Sequence, residues 1–355
     1  MPIPMPTRAE ARKSLDAVIR KSRVHLYKPI QIAEILYHDR AYHDVDLNDL
    51  ETYRNRSKKW RDDISRPLLG RICTSSARFQ DNLFEDNAIP PQVIAVLGEE
   101  NRRTHGAVEA YIYRQFNTKH DQMAEALRVC QTAAPENFDV KAFIDSFWQE
   151  PGLKRSLDKI YEIVVYALFS ALVEEMQLQV TVSVTEEKVG ILTAFSAFAR
   201  KVMCLEPTKL THTEQAKVYR VGVTNAADRG LDMYSNWGPA IQIKHLSLDV
   251  ELAQNIVQSI SSDRIVIVCK DAEREIILSL LTQIGWKSRI QSIVTENELV
   301  AWYEKALRGG VSEELGETLL RKLRQEITLE FPSVGELPDL LRERHYEEIQ
   351  DAYWV

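Results

Sequence analysis

Between Ala240 and Leu246 the chain alternates, with Ile241 and Ile243 on one side and Gln242 and Lys244 on the other. An alternation of period two marks a strand whose faces see different surroundings. It also sets the amide and the amine side by side, because alternate side chains share a face. Upstream, Val218, Arg220 and the run Val221–Val223 suggest one short strand, and Leu231–Ser235 suggests a second. Asn225-Ala-Ala-Asp-Arg-Gly230 and Asn236-Trp-Gly-Pro239 supply the turns between them. Strands joined so tightly fold back as a small antiparallel sheet. Asp232, beside the last strand, can then meet Gln242 and Lys244. The plain alternative is a half-buried strand whose Gln and Lys only face water.

The flanking segments extend the sheet. Ser247 is placed to cap a helix, LDVELAQNIVQSI, and the β-branched run Ile265–Cys269 reads as a strand buried on both faces. Asp271–Ile284 reads as a helix ending at Gly285, Ile290–Val294 as a strand and Glu296–Leu307 as a helix. Ahead of the hairpins, Ser156–Met176 is a helix apolar nearly all round in its second half. Val180–Val184 suggests a strand, Gly190–Met203 an apolar helix, and Pro207–Gln215 a polar loop in which His212 lacks a metal-spaced partner. The sum is an α/β (α+β) core, a mixed sheet flanked by helices.

An Asp followed by Gln-x-Lys, here Asp232 and Gln242-Ile-Lys244, resembles the PD-(D/E)XK nuclease core in the variant where Gln replaces the second acid. The bare pattern arises by chance on the order of a few times in a chain this long, so the turn-flanked hairpin and the elements after it carry the comparison. The wider run GVTNAADRGLDMYSNWGPAIQIKHLSL, with SSDRIVIVCKDAE after it, is similar to the HaeII family of type II restriction endonucleases.

That resemblance implies Mg²⁺-dependent cleavage of double-stranded DNA at a short GC-rich palindrome, purine-GCGC-pyrimidine in family members. It also implies a cognate DNA methyltransferase in the same system. A palindromic target favours a symmetric homodimer. Asp232 would be the anionic metal ligand, with the Gln242 amide oxygen and the Ile243 carbonyl beside it, since Mg²⁺ takes few, oxygen-only protein ligands. Lys244 would orient or deprotonate the attacking water, or hold the phosphate. A neutral Gln leaves such a site short of charge. Asp228 in the turn and Glu162 on the preceding helix are the two acids that could supply it. Each has a plain alternative: Asp228 as a turn former, Glu162 as a solvent-facing acid near a helix N-terminus.

The first 150 residues read as mainly helical. Thr7 and Glu10 form a capping box, Pro29 can open a second helix, and Asp46 or Asn48 can cap a third that runs through Tyr53 to Trp60. Further helices are expected from Pro90-Pro91, over Ala107–Phe116 and over Asp121–Gln131, before a boundary at 136–152. Residues 1–150 are thus taken as an N-terminal domain with a DNA-recognition role, 151–310 as the catalytic core and 311–355 as a helical extension. Tyr53–Arg71 is the most basic segment, with seven Lys and Arg against two Asp. Arg54, Arg56, Lys58, Lys59 and Arg61 are its phosphate-contact candidates, joined by Arg102 and Arg103 in a later turn. A solvated helix face explains such a run equally well.

Net charge is −7, so bulk charge does not advertise nucleic acid, but residues 1–80 hold 16 Lys and Arg against 10 Asp and Glu. Cys73, Cys130, Cys204 and Cys269 are widely spaced, which signals neither a zinc site nor a disulfide framework. The longest apolar run, Ile163–Val173, is too short to span a bilayer, and MPIPMPTRAEARK lacks a signal-peptide core. A cytoplasmic protein without a membrane partner is expected. Two other functions fit the same residues: a repair-type PD-(D/E)XK nuclease, and a non-catalytic helical binding protein.

Overall fold

A computed structural model describes residues 5–85, 88–221, 231–273, 289–332 and 337–350. The first element, α1 (Arg8–Lys21), begins at the expected capping box: Glu10 N–H donates to Thr7 Oγ1 at 3.3 Å and Thr7 N–H to Glu10 Oε2 at 2.7 Å. Next comes α2 (Tyr27–Tyr42), which buries Ile30, Ile32, Ile35 and Leu36 together with Gln31, Glu34 and Asp39. The third helix differs from expectation. Asp49, not Asp46 or Asn48, caps a single 3₁₀ turn at Leu50–Thr52, and α3 starts afresh at Arg56 and runs to Leu69. Helix α4 (Pro91–Arg103) opens on a proline at its first position, where a missing N–H costs nothing.

One helix, α5 (Ala107–Thr132), replaces the expected pair. Its polar middle contains no helix breaker. It marks a change of neighbour instead: Ala107–Phe116 pack into the N-terminal helical core, whereas Met123, Leu127 and Cys130 pack into a second core. Between them Lys119 donates to the Ile19 and Ser22 carbonyls at 2.9 Å each. The expected boundary region holds another helix, α6 (Val140–Gln149), capped by Asp139 and burying Val140, Phe143, Ile144 and Phe147 in the second core.

That second core surrounds α7 (Leu157–Glu175). After it β1 (Gln179–Ser183) pairs antiparallel with β2 (Thr211–Gln215), so part of the expected 207–215 loop is a strand. The segment between them is not one apolar helix. It breaks into Val189–Ala194, Ser196–Phe198 and a π-turn at Ala199–Met203, and leaves Ile191, Phe195, Phe198 and Val202 exposed. This arm stands outside both large cores and holds only the small cluster of Leu192, Ala199 and Leu205.

The main sheet has five strands in the order β3 (Val218–Arg220), β4 (Met233–Ser235), β5 (Ala240–Leu248), β6 (Ile265–Ala272) and β7 (Ile290–Thr295). The first three are antiparallel and the last three parallel. Helix α8 (Val250–Ser259), capped by Asp249, makes the crossover from β5 to β6. Strand β6 runs on to Ala272, where a helix is expected to have begun at Asp271; the remainder of that expected helix lies outside the described residues. Both sheet faces are covered. Ile241, Ile243, Val266, Val268 and Val294 join the α7 core, and Ala240, Ile265, Ile267 and Ile290 meet α8. Helices α9 (Glu296–Arg308) and α10 (Ser312–Glu330) pack beside α7, and α11 (Leu337–Glu343) brings Leu337 and Tyr346 back into the N-terminal core. Among the described residues no helix is long and apolar enough to cross a membrane.

Candidate active site

Strand β4 starts one residue after Asp232, and β5 carries Gln242 and Lys244 beside it. Backbone pairing fixes the acid: Val221 N–H donates to the Asp232 carbonyl at 2.8 Å. Its carboxylate then takes three contacts on one oxygen. Gln242 Nε2 and the Ile243 N–H (2.7 Å) donate to Asp232 Oδ2, and Lys244 Nζ stands 3.9 Å from it. Oδ1 takes none of these. Gln242 is only 2% exposed, and its Oε1 has no partner among the described residues. A buried acceptor without a donor is costly, so this oxygen is placed for something else. Ile243 presents its N–H to Asp232; nothing in the contacts aims its carbonyl at the site.

Glu162 is buried near the start of α7 and is not the solvent-facing acid of the plain alternative. Lys159, one turn earlier, pairs with it at 2.6 Å. Burial raises the Glu162 pKa, Lys159 opposes that, and the charge of Asp232 adds to the rise. The Asp232 pKa is raised as well, again by burial, against the pull of Lys244 and the Ile243 N–H. A buried Glu162 and a partly buried Asp232 that feel each other, with an Asp oxygen outside these contacts and an orphaned amide oxygen, suit a hard divalent cation whose charge would relieve them. Among the described residues no three His, Cys, Asp or Glu side chains form a metal cluster. Asp228 lies outside the described residues. His245, on the other face of β5, is buried against Glu296 Oε2 at 2.9 Å and meets the Tyr161 ring edge-on.

The candidate DNA-contact residues are placed elsewhere, and mostly against carboxylates. Arg54 meets Glu51 and Asp81, Lys58 meets Asp81 at 2.7 Å, and Arg56 meets Asp44. Arg102 pairs with Asp39 and Arg103 with Glu100. Arg61 is 1% exposed and spends its guanidinium on Gln31, Gln80 and Asp62, so in this structure it holds the bundle together. Lys59 is exposed and has no partner among the described residues.

Two residues close to the site were missed from sequence. Lys159 sits three positions before Glu162, a spacing that puts both on one helix face and could have been noticed. Arg220 on β3 lies against Glu326 and Glu330 of α10, at 2.9 and 3.2 Å, and its charge reaches Glu162. No local pattern announces partners a hundred residues away.

A mixed sheet between helices, with an acid, an amide and a lysine on adjoining strands, is consistent with an α+β nuclease core. Comparison with known proteins narrows this. The model of the family described as HaeII restriction endonuclease matches residues 11–346. The type II restriction enzyme NgoBI of Neisseria gonorrhoeae is 58% identical over 333 residues, 94% of each chain. The type II restriction enzyme HaeII of Haemophilus aegyptius is 54% identical over 343 residues, 96% of this chain and 97% of that one. The chain belongs to the HaeII restriction endonuclease family, a family of site-specific endodeoxyribonucleases. No solved structure matches it.

Proposed function

We propose that this chain is a type II restriction endonuclease of the PD-(D/E)XK kind. It cuts both strands of DNA at a short GC-rich palindrome, purine-GCGC-pyrimidine by analogy with its family, and depends on Mg²⁺. The observation that carries this is the convergence of Asp232, Gln242 and Lys244, with Gln242 Oε1 buried and without a partner among the described residues. Asp232 Oδ1 and Gln242 Oε1 would hold the ion, and Glu162 would add negative charge nearby. Bound Mg²⁺ supplies Lewis-acid stabilisation of the phosphate and a more acidic water. Lys244, 37% exposed at its side chain, is open to solvent. It orients the water or takes its proton, while Asp232 keeps the amine close.

The helices of residues 1–150 serve recognition in this reading, 151–310 the chemistry, and 311–355 ties the two. The working form is a symmetric homodimer, matching a two-fold target. The arm between β1 and β2 favours it. Residues 179–215 carry four Lys and Arg and four Asp and Glu, a neutral, apolar-tipped surface on a chain of net charge −7, so two copies meet there without repulsion. A methyltransferase of the same target protects the host DNA, and the enzyme works in the cytoplasm.

Digestion of an unmethylated plasmid carrying every GC-rich hexamer palindrome tests the reading. Discrete fragments with Mg²⁺, none with EDTA, and a loss of about 10²–10⁴-fold in Lys244→Ala are expected. An intact plasmid under all conditions refutes it, and a smear indicates a nuclease without a fixed site.

A further inference from the structure

A cleft of about 1410 Å³ opens between α1, the 70–85 segment and the start of α7. Its wall has nine Lys and Arg against three acids, Glu85, Asp158 and Glu330. Three of the nine are engaged in the fold. Arg61 is buried among glutamines, Arg71 is tied to Glu330, and Lys28 donates to Asn82. A fourth, Lys159, pairs with Glu162. The other five, Lys13, Lys21, Arg23, Arg66 and Arg155, are exposed and make no ion pair among the described residues. Lys13, Ala17 and Lys21 follow at spacings of four, which aligns them on one face of α1.

Uncompensated cations in a concave wall focus a field that the acidic remainder of the chain cannot cancel at short range. Arg54, Arg56, Lys58, Arg102 and Arg103 differ, because each already neutralises a carboxylate. A cation in an ion pair releases little counterion when phosphate arrives. The cleft also touches the candidate site: Asp158 and Lys159 line it, and Lys159 holds Glu162, which feels Asp232.

We propose that this cleft seats the DNA backbone, with Lys13, Lys21, Arg23, Arg66 and Arg155 as phosphate ligands that lead the strand to the Asp232 hairpin. The proposal rests on the nuclease reading and supplies its binding surface, whose wall does not include the ion-paired Arg54, Arg56 and Lys58.

The test uses the full chain carrying Lys244→Ala, so that the DNA stays whole. Binding of a fluorescently labelled DNA duplex is followed by anisotropy between about 50 and 200 mM salt. Adding Lys21→Ala and Arg23→Ala should weaken binding about tenfold or more, on any duplex sequence. It should also flatten the slope of log affinity against log salt by about 2, one for each lost phosphate contact. Arg54→Ala with Arg56→Ala should change neither. All four positions are at least partly open to solvent, and thermal melts confirm folding. An unchanged slope in the cleft variant, or a loss confined to the Arg54/Arg56 variant, overturns the cleft and leaves the nuclease reading standing. A Lys244→Ala parent that binds no duplex overturns both.

Discussion

Gln242 decides the character of the site. It donates through Nε2 to Asp232 while Oε1 has no partner among the described residues, so the amide relieves the acid on one side and offers an oxygen on the other. Gln242→Glu removes the donor and sets two buried carboxylates together, which is destabilising without a cation. The metal-free variant is expected to melt below the parent, and Mg²⁺ to raise its Tm more than it raises the parent's. Equal responses in a calorimetric titration with Mg²⁺ would argue against a cation at this position. The triad of Asp232, Gln242 and Lys244 was legible in the sequence because a strand's two-residue period and tight turns fix who can meet whom. The fate of the basic residues was not. Arg61 reads as surface beside Lys58 and Lys59, and only the folded bundle brings Gln31 and Gln80 to it.

At the level of elements, patterns failed where non-local packing ruled. Strand β2, THTEQ, is polar on both faces and exists because β1 pairs with it. Helix α5 runs straight through a polar stretch that looks like a turn, because two different cores hold its two halves. Within the arm between β1 and β2 the sequence predicts an apolar helix over Gly190–Met203; the structure breaks it and turns its rings outward. Phe195 is 64% exposed and Phe198 56%, surface that a folded monomer gains nothing by showing to water. With the homodimer proposed above, Phe195→Ser with Phe198→Ser is expected to turn a dimer into a monomer in sedimentation velocity while leaving the Tm of the monomeric fold unchanged. A variant that sediments as the parent does would remove the arm from the interface.

The whole molecule is knit by its ends. Tyr346 donates to Glu109 and Arg344 grips Glu34 at 2.7 Å, so residues from the C-terminal region close the N-terminal bundle. Elsewhere in the fold two histidines, His25 against Phe331 and His120 against Phe116, are held neutral. Burial, with the charge of Arg71 added, lowers the His25 pKa to about 3, and burial lowers that of His120 to about 4. In the unfolded chain both would titrate near 6.5. Their folded values are depressed, so the unfolded state binds more protons in acid. The stability they contribute is complete above about pH 6.5 and is lost as pH falls toward 4 and 3. The slope is of order 1 kcal/mol per pH unit for each group. Urea denaturation at pH 7, 6 and 5 should show a midpoint falling with pH, and His120→Gln should flatten the fall.

One carboxylate sits between the parts of the machine. Glu330 of α10 pairs with Arg220, next to the strand residue that fixes Asp232, at 3.2 Å, and lies 4.0 Å from Arg71 on the cleft wall. Arg220 also neighbours Val221, whose N–H holds the Asp232 backbone. Cleft and hairpin thus share an anion, and a shift in the pull on one arginine is felt by the other. Thermodynamic linkage makes that traffic symmetrical. Whatever free energy a cation at the hairpin gains from a strand lying in the cleft, the strand gains in equal measure from the cation. Should both the ion and the strand bind as proposed, each changes the other's affinity by one and the same factor.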